Sequence, residues 1–151
     1  MRSAQKPQKI FIASDHGGFA LKSIIYSFLK DKEYDIVNLG TDSEDSIEYP
    51  DIAGKLCRIV QKDKSSVGIL ICGAGIGMSI AANKYKGIRA ALCSDAFSAQ
   101  MSREHNDANV LCLGGRVLGE EIAKQIVETY LKAQFQGGRH ARRVGKIPNA
   151  Y

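Results

Sequence analysis

No run of apolar residues in this sequence is long enough to span a bilayer. The first nine residues are polar and lack the apolar stretch of a signal peptide. These two absences predict a cytoplasmic protein with no membrane partner. None of the four cysteines, Cys57, Cys72, Cys93 and Cys112, belongs to a C-x-x-C pair, which argues against a zinc ribbon or a redox dithiol. Internal repeats and low-complexity segments are also missing, and nothing marks a second domain. The 151 residues therefore read as one domain, 1–151, with an ordinary apolar fraction of 44%.

Acidic residues are missing from both ends. Residues 1–9 hold Arg2, Lys6 and Lys9, and residues 136–151 hold Arg139, Arg142, Arg143 and Lys146, with no acid in either stretch. The formal charge is +5, so the body between these ends carries about −2. A nucleic-acid binder would spread a basic stripe across its fold, so no nucleic-acid partner is expected. Residues 1–8 read as a flexible extension and 137–151 as a basic tail. Either that tail is a solvated charged end or it meets a compact anion such as a phosphate monoester. Arg139 and Arg143 are four apart and share a face if the tail is helical, which would make a phosphate clamp.

What is present is alternation. Apolar stretches at 9–14, 34–39, 67–72, 88–93 and 109–113 read as buried strands. Between them, apolar residues recur at helical spacing. Leu21, Ile24, Ile25, Phe28 and Leu29 stripe a helix over about 18–32. Pro50 suits the first turn of a helix reaching about 63. Further helices are expected over 75–84 and 96–104, and Ile122, Ile126, Tyr130 and Leu131 stripe a long one near the end. Continuous apolar strands alternating with helices predict an α/β fold. Its form is a three-layer αβα sandwich around a five-stranded, parallel, doubly wound, Rossmann-like sheet.

In such sheets ligands bind beyond the carboxyl ends of the strands, and chemistry-bearing residues fall there. Asp15-His16-Gly17-Gly18 follows the first strand. His16 either stands exposed beside a helix-capping Asp15 or joins backbone N–H groups in holding an anion. Cys72 closes the third strand and opens Gly73-Ala74-Gly75-Ile76-Gly77. A thiol where a helix begins meets the positive end of the peptide dipoles, which favours the thiolate as base or nucleophile. The glycines let N–H groups approach a developing oxyanion. The plainer alternative is a buried thiol before a tight turn; the coincidence with the glycine loop favours chemistry. The other three cysteines lie within apolar segments and read as core. His105, where a helix ends, is either a dipole partner or a general acid/base. His140 has no pattern that supports a role.

Three familiar glycine-loop chemistries fail on spacing. A cysteine phosphatase needs Arg six residues after the cysteine, where Met78 stands. The dinucleotide fingerprint G-x-G-x-x-G breaks because its third glycine arrives one residue early, at Gly77. No Gly-Lys-Ser/Thr completes a triphosphate loop.

Taken together, several segments resemble one family. They are Asp15-His16-Gly17-Gly18, Tyr49-Pro50, residues 72–84, His105-Asn106-Asp107 and Gly137-Gly138-Arg139-His140. In this order, from about 9 to 147, they resemble ribose-5-phosphate isomerase type B, a family that includes galactose-6-phosphate and allose-6-phosphate isomerases. The resemblance implies an aldose–ketose isomerase that needs neither metal nor cofactor and works through an enediol. Cys72 matches the proton-abstracting base, and His105 the residue that assists sugar-ring opening. Asp15 and His16 match substrate contacts, and Gly73, Ala74, Gly75, Ile76 and Gly77 the backbone cradle. Tyr49 matches a pocket-lining residue. Asn106, Arg116, Arg139 and Arg143 match polar and phosphate contacts. The implied partners are a sugar phosphate and a second copy of the chain, in a homodimer with a shared site, with further assembly to a tetramer left open. Ala74 stands where many relatives carry threonine, so a hydroxyl contact is missing or replaced. The resemblance leaves the five- and six-carbon sugars open. A non-catalytic flavodoxin-like nucleotide or flavin module is the reading from another class, and it would not need Cys72.

Overall fold

In the computed structural model the described residues are Pro7 and 9–151. The remainder of the expected extension, 1–6 and 8, lies outside them. Five parallel strands form one sheet in the order β2-β1-β3-β5-β4. They are β1 (Lys9–Ser14), β2 (Ile36–Asn38), β3 (Ser66–Cys72), β4 (Ala90–Leu92) and β5 (Val110–Gly114). The helices are α1 (Phe19–Asp31), α2 (Tyr49–Lys62), α3 (Ile76–Ala82), α4 (Ala96–Glu104), α5 (Glu120–Lys132) and α6 (Arg139–Val144).

Alternation along the strands divides the core in two. Ile10, Ile12, Ile69, Ile71, Leu111 and Leu113 pack on one face with Leu21, Ile25, Leu29, Ile126 and Tyr130. Ala13, Leu70, Cys72, Val110 and Cys112 pack on the other with Leu56, Cys57, Val60 and Met78. Every residue of β3 is buried, as a central strand covered on both faces requires. Each fully buried isoleucine or leucine contributes roughly 1.5–3 kcal/mol relative to exposure. Burial lifts the Cys57 thiol to about 12, that of Cys93 to about 11 and that of Cys112 well above its usual value. These three are core thiols, as read from the sequence. Among the described residues no helix is long and apolar enough to cross a membrane.

Three elements are shorter than their apolar stretches suggest. The Arg89 N–H donates to the Asn109 side chain at 2.8 Å, so the β4 ladder starts only at Ala90. The Asn83 amide bonds the Ala90 N–H and C=O at 2.8 and 3.0 Å, which ends α3 before Lys84. Only Ile36–Asn38 ladder onto β1 in β2. The basic tail is helical over Arg139–Val144.

The order in which strands are added to the sheet reverses between β1 and β3, which pair directly and in parallel from Lys9↔Ser66 to Ser14↔Ile71. The carboxyl ends of these two strands deliver Asp15 and Cys72 to the switch point, where doubly wound sheets bind ligands.

Candidate active site

Cys72 is 6% exposed, and its Sγ accepts the Gly75 N–H at 3.2 Å. Gly75 reaches this position with φ +79, a left-handed conformation in which a Cβ would lie 2.6 Å from Leu92 Cδ1. Neighbouring loops close on the same turn. Arg116 N–H donates to the Gly73 carbonyl at 2.9 Å, and Gly115 N–H to the Cys72 carbonyl at 2.8 Å. A Cβ on Gly17 would meet the Gly73 nitrogen at 3.1 Å, and one on Gly77 the Tyr49 ring at 2.7 Å. Close backbone approach at these glycines therefore draws together loops from β1, β3 and β5 and the start of α2.

Asp15 is buried and caps the turn that follows it, accepting the Gly18 N–H at 3.1 Å. His16 Nδ1 accepts the Ile47 N–H at 3.3 Å, so in the neutral ring Nε2 carries the proton and can donate to a ligand. Lys22, 1% exposed, holds the turn before Ile47 by bonding Asn38 Oδ1 at 2.9 Å, the Thr41 carbonyl and Asp42 at 3.0 Å. Neither the Ile47 bond nor the buried Lys22 had a signal in the sequence, since each joins segments that no motif links.

Asp15, His16, Tyr49, Gly73, Ala74, Gly75, Ile76, Gly77 and Arg116 thus gather with Cys72 at the carboxyl end of the sheet. His105, Asn106, Arg139 and Arg143 do not. Helix α4 runs back from the end of β4, and His105 caps its far end, ahead of the start of β5. The tail docks there too, with the Gln136 N–H donating to the Glu104 carbonyl at 3.0 Å. One chain therefore keeps its candidate residues in two groups at opposite ends of its strands. Arg116, Arg139 and Arg143 are exposed, and none has an acidic partner among the described residues.

His140, which carried no signal in the sequence, stacks on His105 with ring centroids 4.1 Å apart and planes within 7°. Burial, then His105, Arg139 and Arg143, hold its pKa below the usual histidine range. The apolar surface around the Cys72 end is open. Ile76, Ile80, Phe97 and Val117 are 53, 59, 70 and 63% exposed. A cavity of about 590 Å3 lies instead at the amino end, among Arg89, Arg103, Asp107, Asn109 and Tyr151.

A family model described as Ribose/Galactose Isomerase matches residues 10–147. The chain is 48% identical over 140 residues to ribose-5-phosphate isomerase B of Escherichia coli, covering 93% of this chain and 94% of that one. The solved structure of ribose-5-phosphate isomerase B from Clostridium thermocellum is 55% identical with a TM-score of 0.90, over 92% of this chain and 94% of that one. That of the Mycoplasma genitalium enzyme, with bound ribulose-5-phosphate, is 47% identical with a TM-score of 0.89, over 92% and 93%. The chain belongs to the ribose/galactose isomerase family, as an enzyme of the ribose-5-phosphate isomerase B type.

Proposed function

We propose that this chain interconverts ribose 5-phosphate and ribulose 5-phosphate through an enediolate, with Cys72 as the base. The observation that carries the reading is the Cys72 Sγ beside the Gly75 N–H, within a glycine loop at the sheet's switch point. The match to a relative whose structure holds ribulose-5-phosphate supports the substrate.

The reaction first opens the sugar ring. His105 moves a proton between the C1 hydroxyl and the ring oxygen as the C1–O bond breaks. The Cys72 thiolate then takes the C2 proton, and the electron pair moves through C1 to make the O1 oxyanion. Backbone N–H groups of Gly73, Ala74, Gly75, Ile76 and Gly77 stabilise that charge. A proton passes from O2 to O1, and the thiol returns its proton to C1, leaving the ketose. One base serves both carbons because they are adjacent. Asp15, His16, Tyr49 and Asn106 hold the sugar hydroxyls. Arg116, Arg139 and Arg143 hold the phosphate, which fixes the carbons against the sulfur.

This chemistry needs both half-sites in one pocket, so the working unit is a homodimer. Each chain presents its His105–Arg139 edge to the Cys72 loop of the other. The exposed Ile76, Ile80, Phe97 and Val117 would be covered in that pairing. Four unpaired cysteines fit a reducing, cytoplasmic setting for this pentose phosphate reaction.

The test is a coupled assay of the purified chain on ribose, allose and galactose phosphates, with Cys72→Ser beside it. Ribose 5-phosphate should turn over fastest, and Cys72→Ser should lower that rate by about 10²–10⁴-fold. Preference for a six-carbon sugar would reassign the substrate, and full activity in Cys72→Ser would remove the base.

A further inference from the structure

His140 is the most enclosed polar side chain of the tail. It is 7% exposed, and its Nε2 has no hydrogen-bond partner among the described residues. With that nitrogen unpaired, Nε2 does not hold the ring in place. Its face is what is used, since it lies parallel to His105 at 4.1 Å. The exposed Arg139 and Arg143 bracket it on α6, so the guanidiniums face outward while the imidazole faces the end of α4. The tail is fixed independently of the stack, because Gln136 bonds Glu104 through both its N–H and its side-chain amide, at 3.0 Å each.

Two imidazolium rings at this spacing would repel each other. Burial, then His105, Arg139 and Arg143, disfavour protonation of His140, which lessens that repulsion. His105 thus has one face covered, while its edge is left to act on substrate.

We infer that His140 is a positioning residue for ring opening: its stacked face fixes the His105 imidazole in the plane from which it exchanges a proton with the sugar ring oxygen. The inference rests on the isomerase reading above. It also explains why an imidazole whose Nε2 has no partner among the described residues sits between two arginines assigned to the phosphate.

The test separates ring opening from enediol chemistry. Ribulose 5-phosphate has no ring to open, so exchange of its C1 hydrogen in D2O needs Cys72 but not His105. His140→Ala should lower turnover of ribose 5-phosphate by about 10²-fold, the scale of a misplaced catalytic group. It should leave the C1 exchange rate, and the KM for ribulose 5-phosphate, within about twofold of wild type. His140→Phe, which keeps a flat ring without nitrogens, should recover most of the turnover. Unchanged turnover in His140→Ala overturns the inference. So does an equal loss of exchange and turnover, which would mark a merely structural tail. Failure of His140→Phe to recover turnover would overturn the stacking role and assign the effect to the ring nitrogens. Absence of C1 exchange in the wild-type chain would instead refute the isomerase reading itself.

Discussion

The Gly75 N–H points at Cys72 Sγ from 3.2 Å, and it does so only because residue 75 is left-handed at φ +79. A Cβ there would also lie 2.9 Å from the Leu113 carbonyl carbon. Gly75→Ala should therefore displace the donor and strain the loop. Strain of this kind costs of order 1–3 kcal/mol. The expected outcome is a lower melting temperature together with a turnover loss of at least 10-fold, read by thermal unfolding and by the coupled assay.

Lys22 links stability to the site. Its ammonium is the common partner of Asn38, the Thr41 carbonyl and Asp42. The segment it anchors leads to Ile47, whose N–H fixes His16. Lys22→Met keeps the apolar stem but removes the side-chain donor to the Thr41 carbonyl, at about 1–3 kcal/mol. Melting should fall by roughly 5 °C, and the KM for ribulose 5-phosphate should rise as His16 is freed. An unchanged KM with lowered stability would restrict Lys22 to the fold.

Arg139 stands exposed on α6 without an acidic partner among the described residues. A charge-assisted bond to phosphate is worth about 1.5–3 kcal/mol. Arg139→Ala should raise the KM by about 10–100-fold, with a smaller effect on kcat. Equal affinity of both proteins for inorganic phosphate and sugar phosphate would remove it from the clamp.

The pH dependence of tail docking follows from His140. Its pKa in the fold lies below the ordinary 6.5, with burial the main cause and the electrostatic influence of His105, Arg139 and Arg143 adding to it. Between the two values the unfolded chain binds more protons than the folded one, so stability rises with pH across that window. Acidification below about pH 6.5 should accordingly lower the melting temperature. His140→Phe should lose that part of the dependence. Parallel curves for the two proteins between pH 5 and 7.5 would contradict this assignment.

Much of this fold is legible in the sequence. Helix α4 matches the expected 96–104 because Asp95 caps it, accepting the Ser98 N–H at 2.7 Å. The third strand and the glycine loop announced themselves because an apolar run ends abruptly at Cys72. The ends of β4 and α3 were hidden because Asn109 and Asn83 replace backbone ladders with side-chain amides. The His105–His140 stack was hidden for a related reason. It joins residues 35 positions apart, and neither periodicity nor charge spacing encodes a contact between a ring capping α4 and one on α6. The sequence placed all the candidate residues in one family pattern, but it could not reveal that a single chain keeps them at two ends of its sheet.

That separation sets the most direct measurement. In the proposed dimer, Cys72→Ala and His105→Ala each abolish a different half of the site, so each variant should be nearly inactive alone. If the two variants are mixed, dissociated and allowed to reassociate at random, half of the dimers are mixed. Each mixed dimer carries one intact site of two, so activity should return to about a quarter of wild type. A mixture as inactive as its components would contradict the shared site.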